Sequence, residues 1–136
     1  MDFLKSIAVA ASGLRAQSGR MRIIAENIAN ADSTAEKPGG DPYRRKVPTF
    51  GQQVDRELGA TVVSLGRVKT DASAFRTRLE PGHPAADATG QVKLPNVNSL
   101  VETMDMREAQ RSYEANLNIV SATRRMMART LEILRA

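Results

Sequence analysis

Residues 3–30 have the sequence FLKSIAVAASGLRAQSGRMRIIAENIAN, which contains no proline. Apolar residues recur along it in steps of three and four, the spacing of a helix that buries one face. The members of this heptad are Leu4, Ile7, Ala11, Leu14, Met21, Ala25 and Ile28. The pattern predicts a helix from Phe3 to Asn30, ended by the polar residues 32–34 and then by Pro38 and two glycines.

The C-terminal part of the chain carries a second helical pattern, since residues 100–134 contain neither glycine nor proline. Its apolar seam consists of Met106, Tyr113, Leu117, Val120, Met127, Leu131 and Leu134. Asn98 and Ser99 are suitable N-cap residues, and Glu102 follows Ser99 at the spacing of a capping box. Because a lone helix of this length is marginal in water, we expect the two terminal helices to pair as an antiparallel coiled coil.

The segment between the helices has a different character, because residues 32–98 contain all six prolines and most of the nine glycines. Short apolar runs predict strands at 44–50, 60–65 and 67–70, with Gly66 as a bulge or turn, while 52–58 fits a strand or a helix. Prolines predict turns or extended loop at 80–84 and 94–98. The predicted fold is mainly α with a small, irregular β-rich insert. We expect the helices 1–31 and 99–136 to form one domain and the insert 32–98 the other.

The composition argues against an enzyme. The chain has 136 residues, enough for one or at most two small domains, and it lacks cysteine, which excludes disulfides and thiolate chemistry. Its only histidine, His83, stands between glycine and proline and is predicted to be a turn residue. Asp71, Glu80 and Asp87 are scattered and form no acid–base pair. We therefore expect no catalytic residue, cofactor, metal or small-molecule substrate.

The excess of basic over acidic residues suggests an alternative function. The net charge of +5 makes a basic coiled-coil protein that binds nucleic acid the alternative hypothesis. Two clusters supply the charge, Arg44-Arg45-Lys46 and Arg124-Arg125 with Arg129. Only Tyr43 adjoins a cluster as a stacking residue, so solvated basic faces are the simpler interpretation. No apolar run is long enough to span a membrane, and the N-terminal pattern does not fit a cleavable signal peptide.

The apolar faces of both predicted helices are wider than a two-helix pair can cover. The first seam is rich in alanine, and small side chains bury little area each. We therefore expect an oligomer in which neighbouring subunits add a further layer of helices; the alternative is a monomeric bundle covered by the insert. In an isolated monomer we expect poorly ordered ends, with fast hydrogen exchange through residues 4–28.

Several motifs resemble those of the flagellar rod, hook and hook-associated protein family. They are ASGLRAQ at 11–17, IAENIANA at 24–31, PYRRK at 42–46, PGHP at 81–84, PNVN at 95–98 and RSYEAN at 111–116. They occur in the family's order and cover essentially the whole chain. Within the family they are most similar to the motifs of the proximal rod proteins.

The resemblance implies a structural subunit of the bacterial flagellar basal body. Such a subunit leaves the cytoplasm unfolded through the flagellar type III export apparatus, without a cleaved signal peptide, and assembles in the periplasm. The product is the rod, a tubular drive shaft that transmits torque, with the terminal helices as its inner core. The implied partners are copies of itself, the sister rod proteins FlgB, FlgF and FlgG, and the connector FliE, with no nucleic acid and no membrane span.

We predict that the assembly interface combines the helix seams with polar residues of these motifs. Its residues are Leu4, Ile7, Ala11, Leu14, Met21, Ala25, Asn27, Ile28, Asn30, Tyr43, Arg44, Arg45, Asn96, Asn98, Tyr113, Asn116, Leu117, Val120, Met127 and Leu131. Asn27 and Asn30 fit either hydrogen bonds between subunits or helix capping. Tyr113 fits either a seam position or a hydroxyl bond across a subunit boundary. The basic run 44–46 fits either a charged strand edge that discourages mispairing or a contact with an acidic neighbour.

Overall fold

The computed structural model describes residues 2–136, which form two long helices and six short strands. The elements are α1 (Phe3–Ala29), β1 (Lys46–Val47), β2 (Phe50–Asp55), β3 (Ala60–Leu65), β4 (Lys69–Thr70), β5 (Arg76–Leu79), β6 (Gln91–Leu94) and α2 (Ser99–Arg135). The two helices pack together and the strands lie between them in sequence, so the predicted fold class is confirmed. Both predicted helices agree with the structure to within one residue at each end.

The helix starts are capped by side chains. The Asp2 carboxylate accepts a hydrogen bond from the Lys5 N–H at 3.1 Å, and the Asn98 side-chain oxygen accepts one from the Leu100 N–H at 3.1 Å. Asn98 is therefore the N-cap of α2. The predicted capping box is wrong, because the Glu102 carboxylate bonds to Arg45 and Asn27 instead of turning back to the start of its own helix.

The strands form three two-stranded antiparallel sheets, β1–β4, β2–β3 and β5–β6. Pro48 divides the predicted strand 44–50 into β1 and the start of β2, because proline has no N–H for the ladder. The ambiguous segment 52–58 is strand as far as Asp55 and then a turn, in which Gly59 has a φ of 61°. The predicted strand 67–70 is reduced to β4, and β5 and β6 were not predicted.

The chain forms two compact units. The first comprises Met1–Met21, Thr49–Arg67 and Arg107–Ala136. Within it the helices are antiparallel, since Gly13 lies against Asn116 and Arg20 Nη2 lies 3.4 Å from Glu108 Oε2. A Cβ on Gly13 would be 2.8 Å from Asn116 Nδ2, so glycine permits the close approach.

The second unit comprises Arg22–Pro48 and Val68–Met106. Its apolar core is small and comes from the end of α1, from β6 and from the loops; the buried residues are Ile23, Ile24, Ala31, Ala85, Val92, Leu94 and Val97. Each unit thus contains parts of both helices and of the insert, whereas the predicted division kept the paired helices apart from residues 32–98.

The stripe by which the helices meet differs from the predicted seam. In α1 the contacts come from Gly13, Arg20 and Asn27, each one position before a heptad residue and hence about 100° around the helix axis. None of the heptad residues 4–28 is fully buried within the chain. The helices pair as predicted, but Leu4 and Ala25 of the heptad are exposed and its other members are only half-buried. Glycine and hydrogen-bonding side chains take part in the contact, and they do not appear in a pattern of large apolar residues.

Candidate functional site

A polar cluster, here called the polar clamp, joins α1, α2 and the insert within the second unit. Asn27 and Glu102 are its buried members, and Tyr43, Arg45 and Asn96 are half-buried. The Asn27 amide nitrogen donates to the Lys46 carbonyl at 2.8 Å and to Glu102 Oε2 at 3.2 Å. Its oxygen accepts from the Lys46 N–H at 3.0 Å and from the Tyr43 hydroxyl at 2.7 Å. Both donor hydrogens and both lone pairs of the amide are therefore used.

Arg45 holds the buried carboxylate of the clamp. Its Nε donates to Glu102 Oε1, and its other nitrogens lie 3.5 Å from Asp71 Oδ2 and 3.7 Å from Asp105 Oδ2. The hydrogen bond to Glu102 raises the pKa of Arg45 against the opposing effect of burial. Because a buried carboxylate is costly unless it is paired, Glu102 depends on Arg45 for its place in the core.

Asn96 fastens the loop around residues 71–73 to the clamp. Its oxygen accepts from the Arg45 N–H at 2.8 Å, and its nitrogen donates to the Asp71 carbonyl at 3.0 Å. Arg44 supports the same loop, since its Nη1 donates to the carbonyls of Asp71 and Ser73 and its guanidinium lies 4.2 Å from the centre of the Phe75 ring. All three basic residues of the run 44–46 are engaged within the chain, because Lys46 pairs with Glu26 at 2.6 Å.

Tyr43 titrates abnormally as a result of this environment. Burial, and then the negative charges of Glu26 and Glu102, raise the pKa of Tyr43 to about 12. Its hydroxyl therefore keeps its proton, and the hydrogen bond that it donates to Asn27, to a higher pH than an exposed tyrosine would.

The second feature is the exposed apolar surface of the helices. In the first unit, the register set by Gly13–Asn116 and Arg20–Glu108 places Phe3 opposite Met126. Residues 128–135 of α2, here called the overhang, therefore extend beyond the start of α1. Three large apolar side chains of the overhang are exposed: Leu131 at 59%, Ile133 at 75% and Leu134 at 76%. Leu117, Ile119 and Met126 are exposed nearer the helix pair.

The predicted interface residues divide between these two features. Asn27, Tyr43, Arg44, Arg45 and Asn96 use their polar groups within the chain, and Asn98 caps α2. Asn30 and Asn116 donate to the carbonyls of Glu26 and Ser112, four residues earlier on their own helices. The exposed members are Leu4, Ala25, Leu117 and Leu131, and the half-buried ones are Ile7, Ala11, Leu14, Met21, Ile28, Tyr113, Val120 and Met127.

Sequence reasoning missed the role of Glu102, Asp71 and Asp105 as partners of Arg45. One signal was present for Glu102, which lies seven residues before Ala109 and fourteen before Asn116. Ala109 is buried and Asn116 half-buried on the face of α2 that packs within the chain. A heptad pattern that allows polar residues at its core positions would have predicted that Glu102 faces the inside of the chain.

Other chemistry has little support in the described residues. Within residues 2–136 no group of three or more His, Asp or Glu side chains is placed to hold a metal ion. His83 accepts a hydrogen bond at Nδ1 from the Ala85 N–H at 3.0 Å, as a turn residue does.

Across residues 2–136, neither helix contains an apolar stretch long and uncharged enough to cross a bilayer.

Comparison of the sequence with known proteins identifies the family of the chain. Residues 7–35 match the family described as "Flagella basal body rod protein", and residues 88–133 match "Flagellar basal body rod FlgEFG protein C-terminal". A flagellar basal-body rod protein FlgC of Agrobacterium fabrum is 51% identical over 137 residues, which cover 100% of this chain and 99% of the relative. The chain belongs to the FlgC family.

Further FlgC proteins are similar over their full length. That of Salmonella typhimurium is 39% identical over 98% of both chains, and that of Aquifex aeolicus is 38% identical over 97% of both. As a member of the FlgC family, the chain is a non-enzymatic structural subunit of the flagellar basal-body rod and assembles with rod proteins. The resemblance inferred from the motifs is thereby confirmed.

Proposed function

We propose that the exposed helix faces are the contacts by which this subunit builds the proximal rod. The neighbours are copies of itself, FlgB, FlgF, FlgG and the connector FliE, and the resulting tube transmits torque through the periplasm. The observation that carries the proposal is the overhang, with its three large apolar side chains mostly open to solvent. Burying such a side chain fully contributes about 1.5–3 kcal/mol, so contacts between subunits here would be strongly favoured.

The heptad of α1 supports the same proposal. Its residues from Leu4 to Ile28 are exposed or half-buried because the chain uses a different stripe of α1 for its own packing. An amphipathic helix with one stripe satisfied internally and a second apolar stripe left over is suited to neighbours on its outer side. The proposed interface therefore keeps Leu4, Ile7, Ala11, Leu14, Met21, Ala25 and Ile28.

The polar clamp has a different role in this proposal. It fixes the end of α1, the start of α2 and the insert to one another within the second unit. A subunit that transmits torque must not yield locally, and a fully satisfied buried network resists rearrangement because each broken bond exposes an unpaired group. The clamp residues thus position the interface; they are Asn27, Tyr43, Arg45 and Asn96.

Before assembly, the subunit is exported through the type III apparatus without a cleaved signal peptide.

Variants of the overhang test the proposal in a strain whose own gene for this subunit is deleted. We expect Leu131→Ser/Leu134→Ser to remain folded by circular dichroism but to be absent from isolated basal bodies, leaving the cells non-motile. The matched control, Glu132→Gln/Arg135→Gln, changes two charged residues of the same segment and should restore motility. Deletion of residues 131–136 should also block assembly while the insert stays folded. Normal incorporation of the serine variant would overturn the proposal.

A further inference from the structure

The hairpin β2–β3 has one edge whose backbone groups find no hydrogen-bond partner among residues 2–136. The Gly66 N–H donates to the Thr49 carbonyl at 2.6 Å, and the Val63 N–H points away from β2 to Ser12 Oγ at 3.2 Å. In an antiparallel ladder, hydrogen-bonded and non-hydrogen-bonded pairs alternate. Since Thr49 and Gly66 form a hydrogen-bonded pair, Gln52 and Val63, three positions along, form a non-hydrogen-bonded pair. The N–H and C=O groups of Phe50, Gln52 and Val54 therefore point away from β3. Residues 50–54 of β2 are here called the open edge.

At three other strand edges, hydrogen bonds from neighbouring residues reach backbone groups that point outward. Ser12 occupies the outer side of β3, and the Asn27 amide bonds both the N–H and the carbonyl of Lys46 in β1. In β6 the N–H of Gln91 donates to the Asp87 carboxylate, and the carbonyl of Gln91 accepts from the Asp87 N–H, both at 2.9 Å. No such hydrogen bond reaches the open edge from anywhere in residues 2–136.

The side chains of the open edge do not protect it. Free strand edges are normally guarded by charge, proline or a bulge, because they otherwise pair with other chains. Residues 50–54 are Phe-Gly-Gln-Gln-Val, without a charge or a proline. Phe50 is 46% exposed and Val54 66% exposed, on the same face of the hairpin.

We propose that the open edge binds the open edge of a second copy, antiparallel and about a two-fold axis at Gln52, before the subunit enters the rod. In this register Gln52 faces Gln52 of the second copy and Phe50 faces Val54, so every outward N–H and C=O group meets an outward group. The pairing supplies up to six backbone hydrogen bonds and two aromatic–β-branched pairs, which are favourable across antiparallel strands.

The charges at the ends of the hairpin select this orientation and this partner. The turn end of the hairpin carries Asp55, Arg56 and Glu57, which sum to one negative charge, and Arg67 lies just after β3 at the other end. None of these four residues forms an ion pair within residues 2–136. Antiparallel pairing brings the Glu57 end of one copy beside the Arg67 end of the other, whereas parallel pairing would bring like ends together. A two-fold contact closes on itself and cannot extend, so the dimer is a reserve state distinct from the contacts of the rod.

Because the chain has no cysteine, single cysteines test the register directly. Facing residues in a hydrogen-bonded pair have Cα atoms about 5.5 Å apart, within reach of a disulfide. We expect purified Gln52→Cys to form a disulfide dimer under mild oxidation. Phe50→Cys or Val54→Cys alone should not, since each lies about 14 Å from its own counterpart, but a mixture of the two should cross-link.

Sedimentation of the purified full chain provides the second measurement. We expect the unmodified protein to dimerise with increasing concentration and Val54→Lys to stay monomeric, because it places charges along the edge. Thr61→Lys, on the same face but on β3, is the matched control and should still dimerise. Equal cross-linking at all three cysteine positions, or a monomer at every concentration, would overturn the proposal. These measurements involve no rod assembly, so their failure leaves the proposed function untouched.

Discussion

The amide of Asn27 donates a hydrogen bond to the carboxylate of Glu102 at 3.2 Å, joining two fully buried side chains that are 75 positions apart in the chain. Asn27 lies near the end of α1 and Glu102 near the start of α2. A slip of one residue between the helices would leave both groups buried without partners, which costs more than a lost apolar contact. This bond therefore fixes the register of α1 against α2 in the second unit.

The first prediction concerns the amide of Asn27. Asn27→Asp keeps the shape but removes both donor hydrogens and places a carboxylate beside Glu102, so we expect the free energy of unfolding to fall by about 3 kcal/mol. Asn30→Asp is the control at the same helix end, where the side chain makes one hydrogen bond to its own helix; it should cost less than about 1 kcal/mol. Urea denaturation measures both, and equal losses would contradict the special role of Asn27.

The second prediction concerns the ion pair of Arg45 and Glu102. Arg45→Met leaves the Glu102 carboxylate buried without its ionic partner, and we expect it to destabilise the chain by about 3–5 kcal/mol. Glu102→Met should cost less, because Arg45 is partly exposed and keeps Asp71 and Asp105 nearby. The double variant removes both charges and should cost less than the sum, with a coupling energy on the order of 2 kcal/mol. Additive losses in urea denaturation would show that the two residues act independently.

The helices could be predicted from sequence, but the stripe by which they meet could not. Long segments without proline, with apolar residues in steps of three and four, define α1 and α2 almost to the residue. The contact itself uses Gly13, Arg20 and Asn27, which are small or polar. The pattern of large apolar residues instead identifies a stripe that stays half-buried or exposed within the chain.

The polar clamp and the β5–β6 sheet were beyond sequence reasoning for physical reasons. Arg76–Leu79 is exposed throughout and lacks the alternation of a half-buried strand, so its pairing with β6 is set by tertiary structure. The partners of Arg45 come from positions 71, 102 and 105, far apart in sequence. The family resemblance identified four motif residues of the clamp, Asn27, Tyr43, Arg45 and Asn96. It could not predict the contacts among them, because these depend on how distant parts of the chain fold together.

The third prediction is a titration of Tyr43. The pKa of Tyr43 is about 12 in the folded chain, above its usual value of 10.0, so its contribution to stability is complete below pH 10 and is lost as the pH rises towards 12. In a Tyr113→Phe variant, tyrosinate absorbance reports Tyr43 alone, because these are the only two tyrosines. We expect a midpoint near 12 in buffer and near 10 in urea, with far-ultraviolet circular dichroism verifying the fold. A midpoint near 10 in folded protein would contradict burial of the hydroxyl.

The fourth prediction concerns acid. Hydrogen bonds from Ser73, and then the charge of Arg45, lower the pKa of Asp71 below its usual value. A lowered pKa in the folded state contributes stability that is present above the unfolded pKa of about 3.9 and is lost as the pH falls through the folded value. We expect Asp71→Asn to be less stable at pH 7 and to lose less stability on acidification than the parent. Asp32→Asn changes an exposed carboxylate and is the control, which should change stability at pH 7 by less than about 0.5 kcal/mol.

The fifth prediction is the hydrogen-exchange pattern of the isolated subunit. The sequence alone predicts fast exchange through residues 4–28, but Ala16, Ile23 and Ile24 are buried within the chain, so we expect slow exchange over residues 16–27. The overhang is exposed along its length in the part of the chain that the structure describes, so its amides at 128–135 should exchange fast in the monomer and slowly in assembled rods. Slow exchange of the overhang in a dilute monomer would show that it is already covered, and the unsatisfied apolar surface that drives assembly would then have to lie elsewhere.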